Sequence, residues 1–200
     1  DGYADNLHQA GSILEMHNVP ATIFVTSGKV DSQGEFWWDE LERVLLLSHP
    51  LPSRLELLIE DQQHSWELGE AAFLDSPDSW NVLSRGSSTA RQQVYLDLMK
   101  LLRNLDVEAL ESVLMKLRAW AGLDANGSRE DRLAVTSDEL RSLPADGRID
   151  IGAHTINHPA LSTLSPECQK REILESKSAL EMILERPVET FAYPFGERHD

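Results

Sequence analysis

Residues 21–28, ATIFVTSG, form a short β-branched run that ends in glycine and follows a helical stretch. Such a run reads as a buried strand. The stretch before it spans about Ala4 to His17, with Leu7, Ile13, Leu14 and Met16 at helical spacing, and Val19-Pro20 stops it. A helix feeding such a strand implies α/β layering.

The same rhythm returns near the other end. Thr136-Ser137-Asp138-Glu139 has the form of a helix start before Leu140 and Leu143. RIDIGAH, Arg148 to His154, reads as a strand. Ser165 as N-cap, Pro166 at the first helical position and an acid in the first turn open a helix to about Leu184. Thr190 to Tyr193 is expected as a last strand, with a turn at Pro194-Phe195-Gly196.

Between these flanks the pattern changes. FWWDELERVLLL (36–47) reads as a helix closed by His49-Pro50, and residues 54–68 as a hairpin turning at Asp61-Gln62. Val94, Leu98, Leu101, Leu102 and Leu105, then Leu110, Val113, Leu114, Leu117 and Trp120, mark two helices. Residues 122–132 form a polar link. The organisation expected is α/β flanks at 1–30 and 133–200 around a mostly helical, acidic insertion at 31–132.

Charge narrows the partners. The formal net charge is −16, and residues 31–80 carry twelve acids against Arg43 and Arg54. Nucleic acid and anionic membranes need a basic face, so neither is an expected partner. No apolar run approaches the roughly 20 residues of a membrane span. Cys168 is the single cysteine, which excludes an internal disulfide and a cysteine-based zinc site. It is read as a small inert residue or as a nucleophile.

Three segments can carry chemistry. Asp1-Gly2 is a common turn, but a carboxylate at a strand's C-terminal end points to where α/β folds build their sites. His154 and His158 stand four residues apart in HTINHP, just after an expected strand. Pro159 keeps them off a continuing helix. They are read as metal ligands or as two solvated or core histidines. Phe191 to Gly196, FAYPFG, is an aromatic-rich turn, or a turn that presents a backbone N–H to an oxyanion. His8, His17, His49, His64 and His199 lack partners at ligand spacing and are expected on the surface. Trp37, Trp38, Trp66, Trp80 and Trp120 line a sugar groove or pack the insertion's core.

Taken together, DGYADN with VPATIFVTSG, IGAHTINHP and FAYPFG resemble the motifs of the polysaccharide deacetylase family, carbohydrate esterases built on the NodB-homology domain. The resemblance covers residues 1–30 and 133–200. It implies an α/β fold of the distorted (β/α) barrel type, here truncated at both ends and interrupted by the helical insertion. It implies a divalent ion, zinc or else cobalt or manganese, bound by Asp1, His154 and His158. It implies a hydrolase acting on carbon–nitrogen bonds other than peptide bonds, which removes N- or O-linked acetyl groups from a polysaccharide or oligosaccharide. Metal-activated water attacks the acetyl carbonyl, and the backbone N–H of Phe195 serves the oxyanion. The family's general base would immediately precede Asp1, and its fourth and fifth motifs would follow Asp200. Ala192 stands where many relatives carry an arginine that orients the base. This keeps an alternative, a glycan-binding barrel that retained the metal site and lost the chemistry. The sugar and the compartment are open.

Overall fold

The computed structural model describes residues 1–47, 50–73, 80, 86–87, 89–124, 127–143 and 148–196. His49 and His199 lie outside the described residues. In chain order, a π-helical turn (Asn6–Gly11) continues as α1 (Ser12–Met16) and leads to β1 (Ala21–Val25). Then come α2 (Trp37–Glu42), extended by a π-helical turn (Arg43–Leu47), and β2 (Arg54–Ile59) and β3 (Gln62–Glu67). Then follow α3 (Ala90–Leu102), α4 (Val107–Ala121), α5 (Ser137–Ser142), β4 (Ile149–Ala153) and α6 (Pro166–Leu184). The contacts divide the chain into two compact units, Asp1–Phe36 with Ser128–Asp200, and Trp37–Gly127.

In the first unit β1 and β4 pair in parallel, with Ala21 opposite Ile149 and Val25 opposite Ala153. Val25, Ile151, Ala153, Leu140 and Leu180 form the buried apolar core around the pair. Gly152 is needed near the end of β4 because Phe24 lies opposite it. A Cβ there would lie 2.4 Å from the Phe24 ring and 2.7 Å from Thr190 Oγ1. The caps follow the sequence. Thr136 and Glu139 form a reciprocal capping box on α5, and Ser165 Oγ accepts from Cys168 N–H at the start of α6.

Three features depart from the sequence reading. The last strand is a single parallel bridge, Phe191 to Ala153. The first helix opens with a π-helical turn. Ile13 and Met16, expected on its buried face, point outward, 58% and 79% exposed, because that face runs through Leu7, Gly11 and Leu14. The chain mixes helix and strand as an α/β fold does. Among the described residues, however, the strands form two two-stranded sheets and no closed barrel.

The second unit contains the expected hairpin, turning at Glu60-Asp61 rather than Asp61-Gln62. Leu55, Leu57 and Ile59 alternate inward along β2, and Glu60 and Asp61 take positive φ at the turn. Thr89 and Asp106 cap α3 and α4. Their leucines, among them Leu98, Leu102 and Leu117, close a core with Leu41, Leu45 and Leu55. Arg91 is buried, and its guanidinium donates to the carbonyls of Ala71 (2.6 Å) and Ala72. Glu40 accepts from Arg118 at 2.8 Å, with Arg43 at 3.7 Å, so part of the acidic excess is consumed internally. All five tryptophans pack in or against this core.

Gly152→Ala is expected to cost about 1–3 kcal/mol through overpacking against Phe24. Denaturant unfolding checks it, and an unchanged midpoint would mean that the strand–ring contact is not this close.

Candidate metal centre

The parallel strands place the candidate residues. His154 directly follows β4, and its N–H donates to the Val25 carbonyl at 3.1 Å. Thr26, just after β1, donates its N–H to the Asp1 carbonyl at 3.2 Å. Asp1 and His154 therefore share the C-terminal end of the parallel pair, the end where such sheets carry their sites.

The chain between the two histidines is unusually shaped. Thr155 and His158 both take left-handed backbone, with φ of 67° and 59°. For a β-branched residue such as Thr155 this is an outlier, and each such residue costs on the order of 1–3 kcal/mol. Local bonds offset that cost. Thr155 Oγ1 accepts the His158 N–H at 2.9 Å and donates to the His154 carbonyl.

Two anchors fix the loop from outside. The N–H groups of Ser27 and Gly28 donate to the carbonyls of Thr155 (3.1 Å) and Ile156 (2.9 Å). Gly28 permits this approach, because a Cβ there would lie 2.6 Å from the Ile156 oxygen. On the other side Glu172 of α6, 4% exposed, accepts from Ile156 N–H, Asn157 N–H and Asn157 Nδ2 at 2.8, 3.0 and 2.7 Å.

The imidazoles thus held converge on one carboxylate. His154 Nε2 lies 3.1 Å and His158 Nε2 3.0 Å from Asp1 Oδ1. Both histidines are buried, and the Asp1 side chain is 34% exposed. Among the described residues, these three are the group of acidic and histidine side chains able to hold a metal ion, with ligand atoms within 4.8 Å of one another.

Hydrogen bonding sets the tautomer of one ring. His154 Nδ1 lies 2.9 Å from the Ala192 carbonyl, which only accepts, so Nδ1 carries the proton. Burial holds this imidazole below its ordinary pKa, which favours the neutral ring. Its Nε2 lone pair then faces a carboxylate oxygen, acceptor against acceptor. Burial, and secondarily His154, push His158 down to about 3. A cation between these atoms removes the conflict. The spacing suits one, since ligands about 2.0–2.1 Å from a tetrahedral zinc lie roughly 3.3 Å apart.

The other candidates fall around this cluster or away from it. The Phe195 ring meets the His158 ring edge-on at 5.1 Å. The Ala192 N–H donates to the Ala153 carbonyl, so the backbone of Ala192 carries its contacts with β4 and His154. Cys168 sits in the capped first turn of α6. His8 is exposed and bonds Glu139, His17 is exposed, and His64 stacks on Trp66. Glu172, the Ala192 carbonyl and the Ser27 and Gly28 amides had no place in the sequence reading. Only Glu172 leaves a trace in it, because it shares the buried stripe of α6 with Ser176 and Leu180 at four-residue spacing.

A family model described as polysaccharide deacetylase matches residues 86–200, more than half of the chain. The chain belongs to the polysaccharide deacetylase family. The family acts on acetylated polysaccharide and is typically dependent on a divalent metal. The matched span holds His154, His158 and Phe195 and also takes in α3 and α4. Asp1 lies outside it, so its place beside the histidines rests on the distances above. No curated protein and no solved structure matches the chain. No helix among the described residues is long and apolar enough to cross a membrane.

Thr155→Val keeps the shape of the side chain and removes both of its hydrogen bonds. It is expected to cost about 1–3 kcal/mol, chiefly by leaving the buried His158 N–H unpaired. Denaturant unfolding measures this, and a neutral result would show that the hydroxyl does not stabilise the left-handed pair.

Proposed function

We propose that the chain provides the metal site of a hydrolase that removes acetyl groups, N- or O-linked, from a polysaccharide or oligosaccharide. Asp1, His154 and His158 are the ligands. The observation that carries this reading is the approach of two imidazole Nε2 atoms to one oxygen of Asp1, at 3.1 and 3.0 Å, with His154 Nδ1–H committed to Ala192. Two nitrogens and one oxygen suit a hard-to-borderline divalent ion, zinc first and cobalt or manganese next. Three protein ligands with open positions is the form of a catalytic rather than a structural site. The parallel pair β1–β4, continued by the bridge at Phe191, is read as part of a (β/α) barrel of the NodB-homology type.

When bound, such an ion lowers the pKa of a water and polarises the acetyl carbonyl. The chain's own residues orient the ligands and meet the oxyanion, while the base is the residue that the resemblance places before Asp1. The Ala192 carbonyl keeps His154 in the tautomer that offers Nε2 outward. The Phe195 ring, edge-on to His158, covers one side of that ligand. The backbone N–H of Phe195 donates to the acetyl oxygen as charge develops there. The products are acetate and a free amine or hydroxyl on the sugar.

Ala192 supports one second reading, a glycan binder without turnover, because its side chain cannot orient a base as arginine does. Acetate release separates the two. A protein that includes the base expected before Asp1, loaded with Zn2+, Co2+ or Mn2+, is expected to release acetate from at least one of chitin, peptidoglycan and exopolysaccharide oligomers. Stoichiometric metal with no acetate from any of them would favour the binder. His158→Ala is expected to lower metal affinity by more than the roughly 10–100-fold typical of losing an outer partner. Full affinity in that variant, measured by chelator competition, would overturn the ligand set.

A further inference from the structure

Glu172 is a buried acid that the proposed chemistry does not use. It is 4% exposed, and among the described residues no cation pairs with it. A carboxylate removed from water in this way is costly unless hydrogen bonds satisfy it. Here they do, and all of them come from one place. Oε2 accepts from the N–H groups of Ile156 and Asn157, and Oε1 from the Asn157 side chain. Ile156 and Asn157 lie between the two histidines, within a loop whose Thr155 and His158 are left-handed.

The geometry points to Glu172 as the positioning residue that sets where the two imidazoles stand. The inference rests on the metal reading above. The path is short and wholly local. Helix α6 is fixed by its cap at Ser165 and by Leu180 in the core. The carboxylate then holds residues 156 and 157 against the pull of the Ser27 and Gly28 amides on the opposite side. With its middle held, the loop delivers both Nε2 atoms to about the same distance from Asp1, 3.1 and 3.0 Å. Reach is the critical property. A side chain one methylene shorter cannot span from α6 to both amides, whereas an uncharged side chain of the same length still offers an oxygen to them. Among the described residues no hydrogen bond joins Glu172 to either imidazole, so its effect passes through residues 156 and 157.

The test is a Co2+ titration of the chain read by its visible absorption, with affinity taken from chelator competition. Four variants are compared with the parent: Glu172→Leu, Glu172→Asp, Glu172→Gln and Leu180→Ala. Glu172→Leu and Glu172→Asp are expected to lose roughly 10–100-fold in affinity and to change the cobalt spectrum. Glu172→Gln is expected to keep most of the affinity and the parent spectrum. Leu180→Ala lowers the unfolding midpoint by emptying a core site two turns along the same helix, and is expected to leave cobalt affinity unchanged. If Glu172→Leu does not fold, the contrast between Glu172→Asp and Glu172→Gln carries the test. Parent-like affinity in both Glu172→Leu and Glu172→Asp would overturn the positioning role while leaving the metal site intact. So would an equal loss in Leu180→Ala, which would make the effect one of stability. A parent chain that binds no cobalt would overturn the metal reading itself, and the positioning role with it.

Discussion

Between His154 and His158 the backbone is held from two sides, by the carboxylate of Glu172 and by the amides of Ser27 and Gly28. The whole site depends on this double hold. A pentapeptide with two left-handed residues, one of them β-branched, is not a conformation that a free chain keeps. The surrounding fold imposes it. The parallel pairing of β1 with β4 brings Ser27 and Gly28 beside the loop, and packing of α6 on β4 brings Glu172. Strand pairing, helix packing and loop shape are thus links of one chain of cause.

The electrostatics of the cluster follow from that shape. An imidazole committed through Nδ1–H to a carbonyl offers only a lone pair on its other nitrogen. Burial opposes relief of the clash with Asp1 by protonation, because it disfavours the charged ring. A divalent cation is the partner that satisfies two nitrogen lone pairs and a carboxylate oxygen together. Burial that would be a cost for a charged histidine therefore suits a metal ligand.

The sequence carried the local structure well where the signal was chemical and short-ranged. The caps at Thr136 and Ser165, the hairpin at 54–68 and the helix pair on Leu98, Leu102, Leu114 and Leu117 are all set by residues within a few positions of one another. The pattern failed where phase or long range decided. Ile13 and Met16 lie outside because the buried face runs through Leu7, Gly11 and Leu14, and its central glycine carries no apolar signal. The proposed ligand motif was legible as His154, Thr155, His158 and Pro159, but its supports were not. A carbonyl such as that of Ala192 has no side-chain signature, and the amides of Ser27 and Gly28 reach the loop across well over 100 residues of chain. Glu172 left only the trace of an acid at four-residue spacing from Ser176 and Leu180. The family match spans both histidines, Glu172 and the aromatic turn at Phe195, while Asp1, Ser27 and Gly28 lie outside it.

X-ray absorption on the zinc-loaded chain tests the central claim most directly. The account predicts a first shell of nitrogen and oxygen at about 2.0–2.1 Å, with the multiple-scattering signature of two imidazoles and no sulfur. A shell of oxygen alone, without imidazole scattering, would contradict it.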